Sequence, residues 1–141
     1  MTAAVHSGGC LCGALRYEAS GAARVVVNCH CSICRRAAGA PFVTWATFPT
    51  AGFRFTTGEP GRFRATPPAE RTFCTRCGTP LTFFHDQRPS ELDITVLSFD
   101  RPEQFPPDRH IFVANRVAWA HLSDGLAQHA AFAAAPKPTS G

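Results

Sequence analysis

Apolar and polar residues alternate with a period of two over much of this chain. Leu15, Tyr17 and Ala19 alternate with Ala14, Arg16 and Glu18, Phe53 and Phe55 flank Arg54, and Phe63 sits between Arg62 and Arg64. A longer alternation sets Leu92, Ile94, Val96 and Ser98 against Asp93, Thr95, Leu97 and Phe99, becoming apolar on both faces towards its end. Such spacing in segments rich in β-branched and aromatic residues predicts strands. Apolar runs at 25–27, 42–48 and 81–84 predict strands buried more fully. Gly58-Glu59-Pro60-Gly61 and Pro67-Pro68 punctuate the intervals. Helical signals are few: a short turn at 35–38, stopped by Gly39 and Pro41, and another at 101–105. No repeat or linker divides the chain, so the pattern predicts a single, mainly β domain over residues 1–128. Residues 129–141, rich in Ala and Pro, are expected to form a flexible C-terminal tail.

Composition sharpens this picture. The 141 residues are 45% hydrophobic, enough for one ordinary core, and twelve Phe against one Met and one Tyr point to aromatic-filled sheets. The net charge of +4 comes from 14 basic and 10 acidic residues, and all the basic residues but Lys137 are arginines, scattered along the chain. That favours contacts with carboxylates or other anions over a dedicated nucleic-acid surface. No apolar stretch near the N-terminus suits a signal peptide and none approaches a membrane span, so a cytoplasmic location is expected. Thiols stay reduced there, and seven cysteines, an odd number, then point to metal binding or catalysis rather than disulfides.

The cysteines form three clusters: Cys10 with Cys12, Cys29 with Cys31 and Cys34, and Cys74 with Cys77. Zinc favours four tetrahedral ligands, most often thiolates in structural sites. Cys74-Thr-Arg-Cys77-Gly78 has the spacing of a zinc knuckle, whose turn needs the positive φ that Gly adopts freely. Cys31-Ser-Ile-Cys34 has the same spacing, with Arg35 in place of Gly. Seven thiols divide most naturally as four plus three, although spacing leaves open which cluster joins which. One division gives Cys29, Cys31 and Cys34 a metal of their own and closes the other site with Cys10, Cys12, Cys74 and Cys77. A trio leaves the fourth metal position open, as in catalytic sites. Three thiolates make zinc a weak Lewis acid but a good partner for a fourth sulfur, so sulfur chemistry is expected over hydrolysis. Arg35 and Arg36 then read either as a solvated turn or as offsetting charge and a bidentate clamp on a substrate carboxylate.

Gly9-Cys10-Leu11-Cys12-Gly13, Cys29-His30-Cys31-Ser32-Ile33-Cys34-Arg35-Arg36 with Gly39, and Phe73-Cys74-Thr75-Arg76-Cys77-Gly78-Thr79-Pro80-Leu81 occur in that order. Together with His110-Ile111-Phe112-Val113, Trp119 and Asp124-Gly125-Leu126, they resemble the glutathione-dependent formaldehyde-activating enzyme family, which also includes centromere protein V-like proteins. The resemblance covers roughly residues 8–128. It implies a mainly β, Mss4-like zinc-containing fold, with a structural zinc on Cys10, Cys12, Cys74 and Cys77. It also implies a catalytic zinc on Cys29, Cys31 and Cys34, the second site being the one prone to partial occupancy. The implied activity is that of a carbon–sulfur lyase or transferase, acting on a thiol adduct such as S-hydroxymethylglutathione, with glutathione or another small thiol as partner.

The remaining candidates read mostly as structural. His30, between two ligands, is expected to point away from the metal, as packing or support for the site. His110 reads as a satisfied structural histidine, His85-Asp86 as a hairpin closure, and Trp45 and Trp119 as core, with Trp45 the one that could instead border the trio. A non-catalytic module binding nucleic acid or protein is the alternative function, marked by a contiguous basic face. A redox enzyme on a related β fold would need a nucleophilic cysteine outside the metal sites, and all seven are assigned as ligands.

Overall fold

In the computed structural model, residues 3–65 and 68–132 are described, and they form a mainly β protein with one short helix among them. By internal contacts the chain falls into two units, both discontinuous in sequence. One combines the residues up to Val26 with Trp45–Pro106, the other Val27–Thr44 with the chain from Pro107 onward.

The first unit holds two antiparallel arrays. Strands β1 (Val5–Gly9), β2 (Arg16–Ser20) and β5 (Phe53–Thr57) make a three-stranded sheet in that order. The second array runs β4 (Val43–Pro49), β9 (Glu91–Thr95), β8 (Pro80–His85), β7 (Ala69–Phe73) and β6 (Gly61–Ala65). The predicted alternation appears directly in β2, where Tyr17 and Ala19 are fully buried while Arg16 and Glu18 turn outward to Asp100 and Arg54. Tyr17, Phe48, Leu81, Ile94, Phe99 and Phe105 centre the core, together with Cys10 and Cys74. Its rings meet at offset or edge angles, with Phe99 to Phe105 at 4.4 Å and Tyr17 to Phe99 at 5.4 Å. The Tyr17 hydroxyl is paired with Ser98 Oγ at 2.7 Å, so burial of the phenol leaves no polar atom stranded.

One sequence expectation is corrected here. The alternation at 92–99 is not one strand: β9 stops at Thr95 and a 3-10 turn covers Val96–Ser98. Ser98 Oγ donates to Thr95 O at 2.8 Å, giving the backbone a local partner in place of the next ladder bond. The turn buries Val96 and Phe99 and exposes Leu97, which accounts for apolar residues on both faces. The turn expected at 101–105 is a 3-10 turn over Pro102–Gln104.

In the second unit, β10 (Arg109–Ile111) lies between Val27–Cys29 of β3 (Val25–Cys29) and β11 (Ala127–Gln128), parallel to both. Helix α1 (Ser32–Ala38) begins three residues earlier than the sequence suggests. Cys31 is its N-cap, the sulfur accepting from the Cys34 N–H at 3.3 Å, and Gly39 ends it at φ 62°. Residues 129–131, expected to begin a tail, are instead bonded: Val113 N–H donates to His129 O, Ala114 N–H to Ala130 O and Phe112 N–H to Ala131 O. The rest of that tail, 133–141, lies outside the described residues, as does Pro67 of the predicted Pro-Pro break. Among the described residues no helix is long and apolar enough to cross a membrane.

Close approach of β1 to the core requires Gly8, where an added Cβ would sit 2.4 Å from the Tyr17 ring and 2.5 Å from Ser98 O. Gly8→Ala is therefore expected to lower unfolding free energy by about 2 kcal/mol. Gly21→Ala, at φ 97° in open space, should cost only about 1 kcal/mol through its backbone conformation. Urea melts in which Gly8→Ala proved the milder change would contradict this packing.

Candidate metal centres

The thiols of Cys10, Cys12, Cys74 and Cys77 all lie within 4.8 Å of one another. Two turns of similar design bring them there. Gly13 N–H donates to Cys10 O at 3.1 Å in one, and Gly78 N–H donates to Cys74 O at 2.8 Å in the other. Gly78 takes φ 83°, the positive value expected of a knuckle, and Gly13 takes φ 82°. Backbone N–H groups then point at sulfur: Leu15 to Cys10 at 3.2 Å, and Arg76 and Cys77 to Cys74 at 3.3 and 3.4 Å. Donors aimed at sulfur favour the thiolate.

The donor set fits zinc. Tetrahedral thiolates about 2.3 Å from zinc lie roughly 3.8 Å from each other. Cys10 to Cys12 and Cys12 to Cys74 are 3.7 and 3.8 Å apart. Thr79 ties the two turns together. Its hydroxyl accepts from Leu11 N–H at 3.0 Å and meets Cys77 Sγ at 3.2 Å, so its own hydrogen is directed at the sulfur. That hydroxyl, with backbone donors, lowers the Cys77 thiol to about 5. Sequence reasoning quoted Thr79 only as part of the motif; its position just after Cys-x-x-Cys-Gly was the available signal.

The thiols of Cys29, Cys31 and Cys34 form the second group, again within 4.8 Å of one another. Cys29 ends β3, Cys31 caps α1 and Cys34 lies in its first turn, so the trio is assembled by one strand-to-helix junction. Hydrogen bonds from the Cys29 and Cys34 thiols and from backbone N–H groups make Cys31 the readily ionised member. Side-chain hydrogen bonds to Cys31 and Cys34, with burial, push Cys29 up.

His30, between Cys29 and Cys31, is fully buried and belongs to a different network. Its Nε2 is 2.9 Å from His110 Nδ1, and His110 Nε2 is 2.8 Å from Asp124 Oδ2. A carboxylate at Asp124 takes the hydrogen of His110 Nε2, so His110 Nδ1 accepts from His30 Nε2–H and His30 Nδ1 is left as an acceptor. That Nδ1 atom is buried without a partner. Burial above all, with the nearby Arg116 and Arg35 charges, lowers His30 to about 4, so it is neutral. Phe42 packs on both imidazoles, at 4.8 and 5.9 Å.

A cleft of about 390 Å³ runs along α1. Ser32, Arg35 and Arg36 line it from the helix; Pro41, Val117 and Trp119 line it from the chain beyond. Trp119 corrects the sequence reading: it is not core but 67% exposed. Arg116 holds its loop, donating to Ala120 O at 2.8 Å, while Ala120 N–H donates to Val117 O at 3.0 Å. Trp45 is buried, its ring 6.2 Å from Phe83 with Arg71 over both. His85 and Asp86 close a turn, His85 Nδ1 accepting from Gln87 N–H and Asp86 binding Arg64 through both oxygens.

A mainly β protein with two convergent thiol groups, each able to hold a metal ion, is the class that fold and site define. Residues 5–115 match the family profile of the glutathione-dependent formaldehyde-activating enzyme, and the chain belongs to that family. A provisionally named glutathione-dependent formaldehyde-activating enzyme of Halomonas elongata is 29% identical over 124 residues, covering 82% of this chain and 79% of the relative. An uncharacterised lyase of Schizosaccharomyces pombe is 25% identical over 111 residues, covering 79% of this chain and 80% of its own. In fold, a Rhodobacter sphaeroides protein of known crystal structure superposes with a TM-score of 0.57 at 21% identity, over 87% of this chain and 98% of that one.

Two outcomes test this geometry. Cys74 is 2% exposed and belongs to the core cluster, and metal binding at such sites contributes on the order of 10 kcal/mol to folding. Cys74→Ser is thus expected to unfold the protein, whereas Cys31→Ser keeps the fold and lowers metal content; equal thermal destabilisation of the two would contradict the division of roles. His110→Ala strands His30 Nε2 in the interior and should cost about 2–3 kcal/mol in a urea melt. Asp124→Asn keeps an acceptor and should cost clearly less.

Proposed function

We propose that this protein is a zinc-dependent carbon–sulfur lyase or transferase acting on a thiol adduct, with S-hydroxymethylglutathione the adduct its family membership favours. The observation that carries this reading is the trio. Three thiols converge at one strand-to-helix junction, and no fourth His, Cys, Asp or Glu among the described residues joins their group. Cys10, Cys12, Cys74 and Cys77 are taken as the structural site.

A zinc ion on the trio would supply a soft centre that keeps a substrate thiol ionised at neutral pH. The chain's own residues do the rest. Cys29, Cys31 and Cys34 set where the substrate sulfur sits. Arg35 and Arg36 lie within one helical turn or so of Cys31 and Cys34, about 5 Å along the axis, and offer guanidinium forks to a carboxylate. Arg35 is steadied by its Nε–H, which donates to His30 O at 3.2 Å. In the forward direction a carbon–sulfur bond forms between thiol sulfur and carbonyl carbon, and the thiol proton ends on the carbonyl oxygen. The reverse breaks that bond, returns the proton to sulfur and releases the aldehyde.

Turnover of thiol adducts, followed by aldehyde release, tests the reading. Replacing any one of Cys29, Cys31 or Cys34 by Ser is expected to abolish turnover, because the three act as one unit. Arg35→Lys or Arg36→Lys should chiefly raise KM, since an ammonium cannot reproduce the fork. A trio variant with undiminished turnover would sink the mechanism and favour a non-catalytic binding module.

A further inference from the structure

Arginine in this protein is mostly spoken for. Arg16, Arg24, Arg54, Arg62, Arg64, Arg88 and Arg109 each pair with a carboxylate of the chain itself. Arg35 and Arg36, like Arg71, Arg76, Arg101 and Arg116, have no carboxylate partner among the described residues, and they are the two of this set that lie on α1. Arg35 reaches only a backbone carbonyl, and Arg36 is exposed. Both line the cleft along α1, and none of the eight residues lining it is acidic.

The opposite wall has its own chemistry. Trp119 is held out of the interior by the Arg116-stapled turn, and its indole lines the cleft together with Val117 and Pro41. A large exposed aromatic beside unpaired guanidinium groups is an arrangement that ligands exploit, the ring covering a flat neutral group and the forks taking an anion. A free ammonium would meet two cations and no carboxylate.

We propose that this cleft selects the thiol: it receives a short arm that runs from the sulfur through a planar amide to a terminal carboxylate, and it disfavours an arm ending in an ammonium. The carboxylate meets Arg35 and Arg36, the amide lies against Trp119, and the sulfur end points to the trio. Glutathione satisfies the rule through its glycyl end, and so does any small N-mercaptoacyl amino acid. This rests on the reading of the trio given above.

Four compounds on the zinc-loaded full chain decide it, with Trp119 emission as the readout and Trp119→Phe as the control for Trp45. N-(2-mercaptopropionyl)glycine is expected to change Trp119 emission saturably, with half-saturation at least about tenfold below that of its glycinamide counterpart, which lacks only the charge. Arg35→Gln combined with Arg36→Gln should erase that ratio while far-UV circular dichroism and metal content stay at wild-type values. Equal half-saturation for acid and amide, or a ratio that survives the double substitution, overturns the proposal. The S-methyl ethers of the acid and of the amide separate the two readings. They should bind more weakly than the thiols yet keep the preference for the acid over the amide. If ether and thiol bind alike while the acid preference persists, the trio reading fails and the cleft assignment stands.

Discussion

Four sulfurs within 4.8 Å of one another constrain the first unit, because they join turns more than sixty residues apart in the chain. The β1–β2 turn brings Cys10 and Cys12, and the β7–β8 turn brings Cys74 and Cys77. Each turn is a donor shell in its own right, its backbone N–H groups satisfied by sulfur. Neither is free to move independently of the core, since Cys10 and Cys74 pack with Leu15, Tyr17 and Leu81. Closing a loop of that length costs entropy, and a metal held by four thiolates would concentrate the compensation at one point.

The trio is assembled more cheaply. Its cysteines lie within six residues, so a strand end and one helical turn bring the sulfurs together with little loop to close. A site built this way needs support for the segment that carries it, and the second unit supplies it through polar contacts. His30 is fixed through His110 to Asp124, and Arg35 is fixed on the His30 carbonyl. Buried histidines held in a defined tautomer stiffen the segment, because each alternative orientation would strand a further polar atom in the interior.

Charge is distributed with a matching asymmetry. In the first unit six arginines neutralise carboxylates across neighbouring strands and turns, contributing little individually at such exposed positions. In the second, Arg109 pairs with Asp108, while Arg35 and Arg36 stay without a carboxylate and line a cleft. Of the scattered arginines of the sequence, these two are the ones that bear on the proposed ligand.

Period-two alternation by itself determined the class of fold, because a strand that buries one face writes that face into every second residue, as β2 does with Tyr17 and Ala19. Cysteine spacing likewise made the three clusters legible, since two sulfurs three residues apart can share a metal, while joining Cys10 and Cys12 to Cys74 and Cys77 rested on the family resemblance and not on spacing. Short strands without alternation, such as β10 and β11, left no such trace, for their pairing depends on neighbours distant in the chain. The same holds for the partners of His110 and Thr79. Trp119 shows the limit best: an indole looks like core in a sequence, and only the Arg116-held turn, a matter of backbone hydrogen bonds among residues 116–120, places it at the edge of the cleft.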